Sequence, residues 1–144
     1  MKYFIIAGEA SGDLHGSNLM KALRVKDPQA LFVGLGGDKM REEGCDIRVD
    51  YREMAYMGFV AVIANLHKVR RNIRIAQQAL LAEKPDTLIL IDYPSFNLRI
   101  AKFCHQHLPN TRIVYYIPPK IWAWKEWRVH QIAKYAHDIL GIFP

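Results

Sequence analysis

Short apolar runs alternate with amphipathic stretches along the chain. The apolar runs predict strands at residues 2–7, 31–33, 45–49, 87–91, 112–117 and 138–143. The stretches between them predict helices at residues 13–26, 38–43, 66–84, 96–108 and 126–135. Strands that alternate with helices are typical of parallel sheets with right-handed crossovers. The pattern therefore predicts an α/β fold with a doubly wound, mostly parallel, Rossmann-like sheet.

In two of the predicted helices, a spacing of three and four residues places a set of residues on one side of the helix. In the first helix these residues are Leu19, Ala22, Leu23 and Lys26. In the long helix the predicted buried stripe consists of Leu66, Val69, Ile73, Ala76 and Leu80. The basic residues predicted to point away from that stripe are Lys68, Arg70, Arg71 and Arg74.

Composition and charge limit the class of protein. The chain has 144 residues, 51% of them apolar and 24% charged, as in a soluble globular domain. No apolar run is long enough to span a membrane, and the first is too short for a signal peptide. Cys45 and Cys104 lack the spacing of metal ligands, which predicts a reduced, cytosolic protein. The apolar end at residues 139–144 leads us to expect that this chain is part of a longer protein.

A surplus of positive charge points to a polyanionic partner. The chain carries 20 basic and 14 acidic residues, a formal net charge of +6. Nucleic acid, an anionic membrane face and a phosphorylated substrate are all compatible with this surplus.

The segment after the first strand contains two acids and several small residues, namely Glu9, Ser11, Gly12 and Asp13. Small residues let a ligand approach the main chain, and helix N–H groups bind a phosphate or a polar sugar substituent. The spacing is that of neither a dinucleotide-binding motif nor a P-loop. The two acids favour hydroxyl recognition or general-base chemistry over simple anion binding. The alternative is an ordinary βα turn capped by Ser11 or Asp13.

Asp92 directly follows the continuous apolar run at residues 87–91, where the catalytic groups of open α/β sheets gather. A partly desolvated carboxylate in that position can act as a general base. The alternative is an aspartate that forms an Asx-turn or caps a helix. A glycine-rich turn with Gly36 and Gly37 is predicted after the second strand, and by itself its signal is weak.

All three tryptophans fall within six residues, at Trp122, Trp124 and Trp127, just past the strand at 112–117. Ligands of open α/β sheets bind at the carboxyl ends of the strands. Aromatic rings there, with Lys120 and Arg128 among them, suit a ligand with an apolar or sugar face and a negative charge. The alternative is that the tryptophans fill the core.

Taken together, these segments resemble the lipid-A-disaccharide synthases, inverting GT-B glycosyltransferases of bacterial outer-membrane assembly. The matching segments, in the order of the family, are Gly8-Glu9-Ala10-Ser11-Gly12-Asp13, Gly34-Leu35-Gly36-Gly37, Met57-Gly58, Ile91-Asp92 with Pro94 and Phe96-Asn97, and Trp122-Ala123-Trp124 with Arg128-Val129. Pro118-Pro119-Lys120 departs from the family pattern, in which a segment closer to Ser-Pro-Ser is expected. The family also has a second Rossmann-like domain, which binds the UDP part of the donor and which this sequence does not reach.

The resemblance implies that residues 1–144 are the N-terminal, acceptor-side domain of such an enzyme. It implies transfer of diacylglucosamine from UDP-diacylglucosamine to lipid X (diacylglucosamine phosphate), with release of UDP and without a metal or another cofactor. Asp92 is then the candidate base, with Glu9 the next choice. The implied substrate-binding residues are Ser11, Gly12, Asp13, Gly36, Gly37, Asn97, Trp122 and Trp124, with Lys120 and Arg128 for phosphate charge. The fragment by itself is expected to be inactive.

The apolar segment at residues 57–64 lies beside the basic helix, which predicts peripheral association with the anionic face of the inner membrane. The alternative is that Phe59, Val60, Val62 and Ile63 belong to the core. A homodimer of the intact enzyme is left open.

Two other classes of protein compete with this interpretation. A nucleic-acid-binding domain should interleave aromatic and basic residues on one face, whereas here the tryptophans and the basic helix are separate, so no nucleic acid partner is predicted. A nucleotide-binding or regulatory Rossmann module without catalysis is the second rival. The discriminating observation is whether Glu9, Asp92, Asn97 and Trp124 converge on one cleft.

Overall fold

The fold is a parallel sheet with helices on both faces, seen in a computed structural model that describes residues 1–54, 63–117 and 134–141. Its strands are β1 (Lys2–Ala7), β2 (Leu31–Gly36), β3 (Asp46–Asp50), β4 (Thr87–Ile91), β5 (Arg112–Ile117) and β6 (Asp138–Gly141). The described helices are α1 (Ala10–Lys26), α2 (Asp38–Glu42), α3 (Leu66–Glu83) and α4 (Pro94–His107), and a 3₁₀ turn (Tyr51–Met54) follows β3. The predicted doubly wound α/β class is confirmed.

The strand order locates the crevice in which such sheets bind ligands. The order is β3-β2-β1-β4-β5-β6, and every neighbouring pair is parallel. The chain therefore reverses its direction of travel across the sheet between β1 and β4, and ligands bind at the carboxyl ends of the strands at such a switch point. Ala7 pairs with Ile91, so the segments after β1 and β4 leave the sheet side by side.

Alternation along the strands gives the sheet two apolar faces. Phe4 and Ile6 of β1 face the helices α3 and α4, while Ile5 and Ala7 face α1 and α2. All five residues of β4 are buried, which confirms the prediction of a strand covered on both sides.

The first helix starts earlier than predicted, and the side that it buries is formed mainly by small and polar residues. It begins at Ala10 rather than at residue 13, and Ala22 and Lys26 are exposed. Its buried residues are Gly12, Asp13, Gly16, Ser17 and Met20. The reason is close packing. A Cβ on Gly12 would already lie 3.2 Å from the Cβ of Ala7, so α1 rests directly on the sheet beside the switch point.

The second strand is longer than predicted. Gly34, Leu35 and Gly36 continue β2, and the predicted glycine-rich turn is reduced to Gly37. A residue with a side chain at position 34 would clash with the carbonyl of Ile5 on the neighbouring strand. These glycines therefore serve close packing within the sheet rather than flexibility.

The long helix α3 largely follows its prediction. Ile73, Ala76 and Leu80 are buried and Val69 is half-buried, but Leu66 is 42% exposed. The four predicted basic positions are exposed, as expected: Lys68, Arg70, Arg71 and Arg74. None of the helices described here is long and apolar enough to cross a membrane. Most of the apolar segment at 57–64 and of the helix predicted at 126–135 lies outside the described residues, as do residues 142–144.

Candidate active site at the carboxyl ends of β1 and β4

The main chain at Asp92 has an unusual conformation. Asp92 and Tyr93 have φ angles of 42° and 52°, in the left-handed region that residues other than glycine rarely adopt. The Asp92 N–H donates to the Tyr116 carbonyl at 2.9 Å. The Asp92 carbonyl accepts hydrogen bonds from the Tyr115 hydroxyl at 2.7 Å and from Asn97 Nδ2 at 2.6 Å. Strained backbone persists only where the surroundings over-determine it, and such positions cluster at functional sites.

Asn97 is fully buried, and its side chain forms hydrogen bonds with the main chain of this turn. Its Nδ2 donates to the Asp92 carbonyl at 2.6 Å and lies 3.4 Å from the Ile91 carbonyl. Both carbonyls are acceptors, so the NH₂ group of the amide is the side that faces them. Its Oδ1 is buried and accepts no hydrogen bond from the described part of the chain. The structure puts the Asn97 side chain beneath Asp92, where it holds the main chain of the turn, and its part in substrate binding stays a prediction.

Tyr93 connects the loops that follow three strands. Its hydroxyl donates to the Met54 carbonyl at 2.7 Å, which ties the loop after β4 to the 3₁₀ turn after β3. Its ring lies against Gly8, in the loop after β1, where an added Cβ would be 2.6 Å from the ring Cγ. Phe96 supports the same ring at 5.6 Å between centroids. Gly8 thus allows the loops that carry Glu9 and Asp92 to pack together.

Glu9 and Ser11 follow β1 at the switch point of the sheet. Glu9 precedes α1 in an extended conformation, with φ −155° and ψ 171°, and both side chains are exposed. The Ser11 hydroxyl donates to Glu9 Oε1 at 3.1 Å. No side chain caps α1, so the alternative of a turn capped by Ser11 or Asp13 is wrong. The first N–H groups of a helix have no partner within the helix, and those of α1 are at the switch point.

Asp13 binds the start of a different helix. It is 3% exposed, and its carboxylate accepts hydrogen bonds from the N–H groups of Gly37 at 2.8 Å, Lys39 at 3.1 Å and Met40 at 3.1 Å. An anion at a helix N-terminus satisfies its N–H groups and its dipole. This arrangement joins α1 to α2 through the carboxylate of Asp13.

Gly36 and Gly37 leave room for that carboxylate and its surroundings. A Cβ on Gly37 would lie 2.9 Å from Asp13 Oδ2 and 2.7 Å from Cε2 of Tyr51, and a Cβ on Gly36 would clash with Met40. The sequence predicted Asp13, Gly36 and Gly37 as substrate-binding residues. The structure gives all of them contacts inside the protein that hold the loop after β2 in place, and their part in substrate binding stays a prediction.

An ionic cluster fixes the segment that follows β3. Asp50 accepts from Arg41 at 2.7 Å, and Arg52 pairs with Asp38 at 3.0 Å. Burial raises the pKa of Asp50, but the Arg52 N–H and the guanidinium groups of Arg41 and Arg52 bring the resulting pKa below the ordinary value. The cluster ties the 3₁₀ turn to α2, and the same turn provides the carbonyl that Tyr93 contacts.

The structure brings together part of the predicted site. Glu9, Ser11 and Gly12 follow β1, Asp92 follows β4, and Asn97 lies beneath Asp92. Four further predicted residues lie outside the described residues: Lys120, Trp122, Trp124 and Arg128. In the part of the chain that the structure describes, no three His, Cys, Asp or Glu side chains are grouped so that they could hold a metal ion.

Sequence reasoning missed the tyrosines around Asp92. Tyr115 and Tyr93 make their contacts with residues 23 and 39 positions away in the chain, so no local pattern could reveal them. Tyr116, whose carbonyl accepts from Asp92, packs its ring 5.8 Å from that of His15, and burial raises its pKa. The one signal in the sequence is that Tyr115 and Tyr116 stand near the end of a predicted strand, which places them at the same end of the sheet as Asp92.

Comparison with known proteins provides the family. The model of the lipid-A-disaccharide synthetase family matches residues 3–144. A lipid-A-disaccharide synthase of Geobacter sulfurreducens is 41% identical over 143 residues, which cover 99% of this chain and 37% of the relative. The synthase of Koribacter versatilis is 39% identical over 145 residues, or 100% of this chain and 37% of the relative.

A third synthase, from Psychromonas ingrahamii, is 40% identical over 97% of this chain and 36% of its own length. The chain thus spans a little over a third of the length of these relatives. Because the family model covers nearly all of the chain, the chain belongs to the lipid-A-disaccharide synthetase family.

Proposed function

We propose that this chain is the N-terminal, acceptor-side domain of a glycosyltransferase. The complete enzyme transfers diacylglucosamine from UDP-diacylglucosamine to lipid X and releases UDP. Membership of the family, whose relatives carry the name lipid-A-disaccharide synthase, supports the reaction. The observation that best supports this location of the active site is the left-handed turn at Asp92. Three hydrogen bonds hold that turn at the switch point of the sheet.

The proposed chemistry is a direct displacement at the anomeric carbon of the donor. The Asp92 carboxylate accepts the proton of the acceptor hydroxyl, and the hydroxyl oxygen then attacks the anomeric carbon from the face opposite UDP. The bond from that carbon to the UDP oxygen breaks, its electron pair leaves with UDP, and the anomeric configuration inverts. The position of Asp92 supports this role, because it directly follows a fully buried strand at the switch point, where the catalytic groups of open α/β sheets gather. Glu9, which is exposed, is the second choice.

The remaining roles follow from position. Ser11, Gly12 and the first N–H groups of α1 line the crevice beside Glu9, where they suit sugar hydroxyls and phosphate oxygens. Asn97, Asp13, Gly36 and Gly37 support these loops from within. We assign Lys120 and Arg128 to phosphate charge and Trp122 and Trp124 to the sugar face, on the basis of the family resemblance. A second domain of the complete enzyme binds UDP.

The test uses the chain alone and a hybrid protein. In the hybrid, this chain replaces the matching segment of the Geobacter sulfurreducens relative. Formation of the disaccharide phosphate from UDP-diacylglucosamine and lipid X is expected from the hybrid and not from the chain alone. Turnover by the 144-residue chain would contradict the division into two domains. A folded hybrid that binds UDP but forms no product would favour the rival Rossmann module without catalysis.

We also propose that the protein associates peripherally with the anionic face of the inner membrane. The exposed basic side of α3 supports this, because each Lys or Arg near an anionic surface adds about 1 kcal/mol of attraction. Ile63, which precedes α3, and Leu66, its first residue, are 57% and 42% exposed and provide apolar contacts. Sedimentation with anionic vesicles that decreases at high salt tests this proposal. A homodimer of the complete enzyme stays a prediction.

A further inference from the structure

A basic groove of about 580 Å³ lies between strand β3 and helix α3. Arg48 of β3 forms one side, and Arg71, Arg74 and Gln78 of α3 form the other. The groove is separate from the candidate active site, which lies at the carboxyl ends of the strands. Helix α3 runs along the groove toward Glu83, and Glu83 contacts Lys2 at the amino end of β1.

Two of the three arginines of the groove carry positive charge that the described carboxylates do not neutralise. Arg48 Nη2 lies 2.6 Å from Glu83 and its Nε lies 3.0 Å from Asp46, so Arg48 is held in place by two carboxylates. A guanidinium has five N–H donors, and these bonds leave Nη1 of Arg48 for a ligand as far as the described residues are concerned. Arg71 and Arg74 are exposed and take part in none of the ion pairs of the described residues.

The groove also has apolar surface. Positions 71, 75, 78 and 82 recur at three- and four-residue spacing, so they form one stripe along α3. Ile75, which is 37% exposed, and Ala82 lie beside the arginines on that stripe. The lining residues of this groove within the described chain include no aromatic side chain on which a base could stack, which disfavours nucleic acid.

We propose that this groove binds the head group of an anionic phospholipid. The phosphate oxygens accept charge-assisted hydrogen bonds from Arg48, Arg71 and Arg74, and the glycerol and first acyl carbons contact Ile75 and Ala82. The proposal rests on the membrane association proposed above and deepens it, since it replaces a diffuse attraction with one discrete site.

The experiment compares two double variants that each remove two positive charges. Arg71→Gln with Arg74→Gln changes the groove. Arg99→Gln with Lys102→Gln is the matched control, because both residues are exposed on α4 and neither lines the groove. The probes are dihexanoyl phosphatidylglycerol below its micelle concentration, dihexanoyl phosphatidylcholine, inorganic phosphate, and vesicles with and without phosphatidylglycerol. Binding is measured by calorimetry and by amide chemical shifts, and thermal melts check the fold.

The expected result is that the groove variant loses affinity for the soluble phosphatidylglycerol by about tenfold or more, while the control stays within about twofold. Equal losses in both variants would overturn the proposal and leave only diffuse attraction. Inorganic phosphate that binds as tightly as the lipid would overturn the choice of a lipid. If the soluble lipid binds in the groove but the unsubstituted protein does not bind the vesicles, the membrane proposal fails and the groove site stands.

Discussion

The hydroxyl of Tyr115 donates a hydrogen bond of 2.7 Å to the main-chain carbonyl of Asp92. Both groups are buried, and the bond joins β5 to the turn after β4 at the point where the main chain is left-handed. The turn that orients the candidate base is therefore fixed by a neighbouring strand, and the strength of this contact can be measured without substrate.

Tyr115→Phe is expected to lower the free energy of unfolding by about 1 kcal/mol, because it removes one of the hydrogen bonds that the Asp92 carbonyl accepts. Denaturant unfolding measures this change. Tyr3→Phe is the control, since the Tyr3 hydroxyl makes only a 3.8 Å contact with the Met1 sulfur. Equal effects of the two substitutions would contradict a special role for Tyr115.

Asp13→Asn is expected to destabilise the protein by about 2 kcal/mol, because three main-chain N–H groups of the α2 region lose a charged acceptor. Amide hydrogen exchange should increase first at Gly37, Lys39 and Met40. Glu42→Gln, on the exposed side of α2, serves as the control. If exchange at those amides is unchanged, Asp13 does not hold the start of α2.

Gly8→Ala is expected to cost about 1–3 kcal/mol of stability, because the added Cβ overlaps the Tyr93 ring. In a Tyr93→Ala background the same substitution should cost much less, since the ring is gone. A double-mutant cycle in denaturant measures this coupling. Additive effects would show that the packing of Tyr93 on Gly8 does not join the two loops.

The two cysteines are expected to resist thiol reagents while the protein is folded. Burial raises the pKa of Cys45 to about 12 and, against a hydrogen bond with Thr111, the pKa of Cys104 to about 11. An unfolded thiol has a pKa of about 8.5. The folded state therefore favours the protonated thiols, and this contribution to stability is complete below about pH 8.5 and is lost as the pH rises toward the folded values.

Reaction with a disulfide reagent at about pH 8 should consequently be slow and should follow the rate of opening of the structure. The denaturation midpoint should fall as the pH rises above about 9. The Cys45→Ser, Cys104→Ser double variant, compared with the original chain at each pH, isolates the thiols. Rapid labelling of the folded chain would contradict the burial of these side chains.

The sheet could be predicted from the sequence because its strands are apolar runs separated by amphipathic helices. β1, β4 and β5 begin and end where the pattern placed them. The buried side of α1 could not be predicted, since Gly12 and Gly16 carry no hydrophobic signal and are buried because they let the helix lie on the sheet. β2 was predicted too short for the same reason, as Gly34 and Gly36 read as a turn.

The candidate site was predictable only in part. Asp92 could be found because it follows a continuous apolar strand, and Glu9 because it follows the neighbouring one. That Asp13 binds the start of α2 could not be predicted, because its partners are the main-chain N–H groups of residues 24 to 27 positions away. The sequence shows which residue types are present, but not which of them are engaged inside the protein.

The most direct test of the proposed active site is the initial rate of disaccharide formation by the hybrid enzyme with Asp92→Asn. The substitution keeps the size of the side chain, so the main-chain hydrogen bonds of the turn should persist, and circular dichroism checks that the hybrid is folded. We expect a fall in kcat of about a hundredfold or more, the usual contribution of a positioned base, with a smaller effect from Glu9→Gln. A rate within a few-fold of the unsubstituted hybrid would show that Asp92 is not the base.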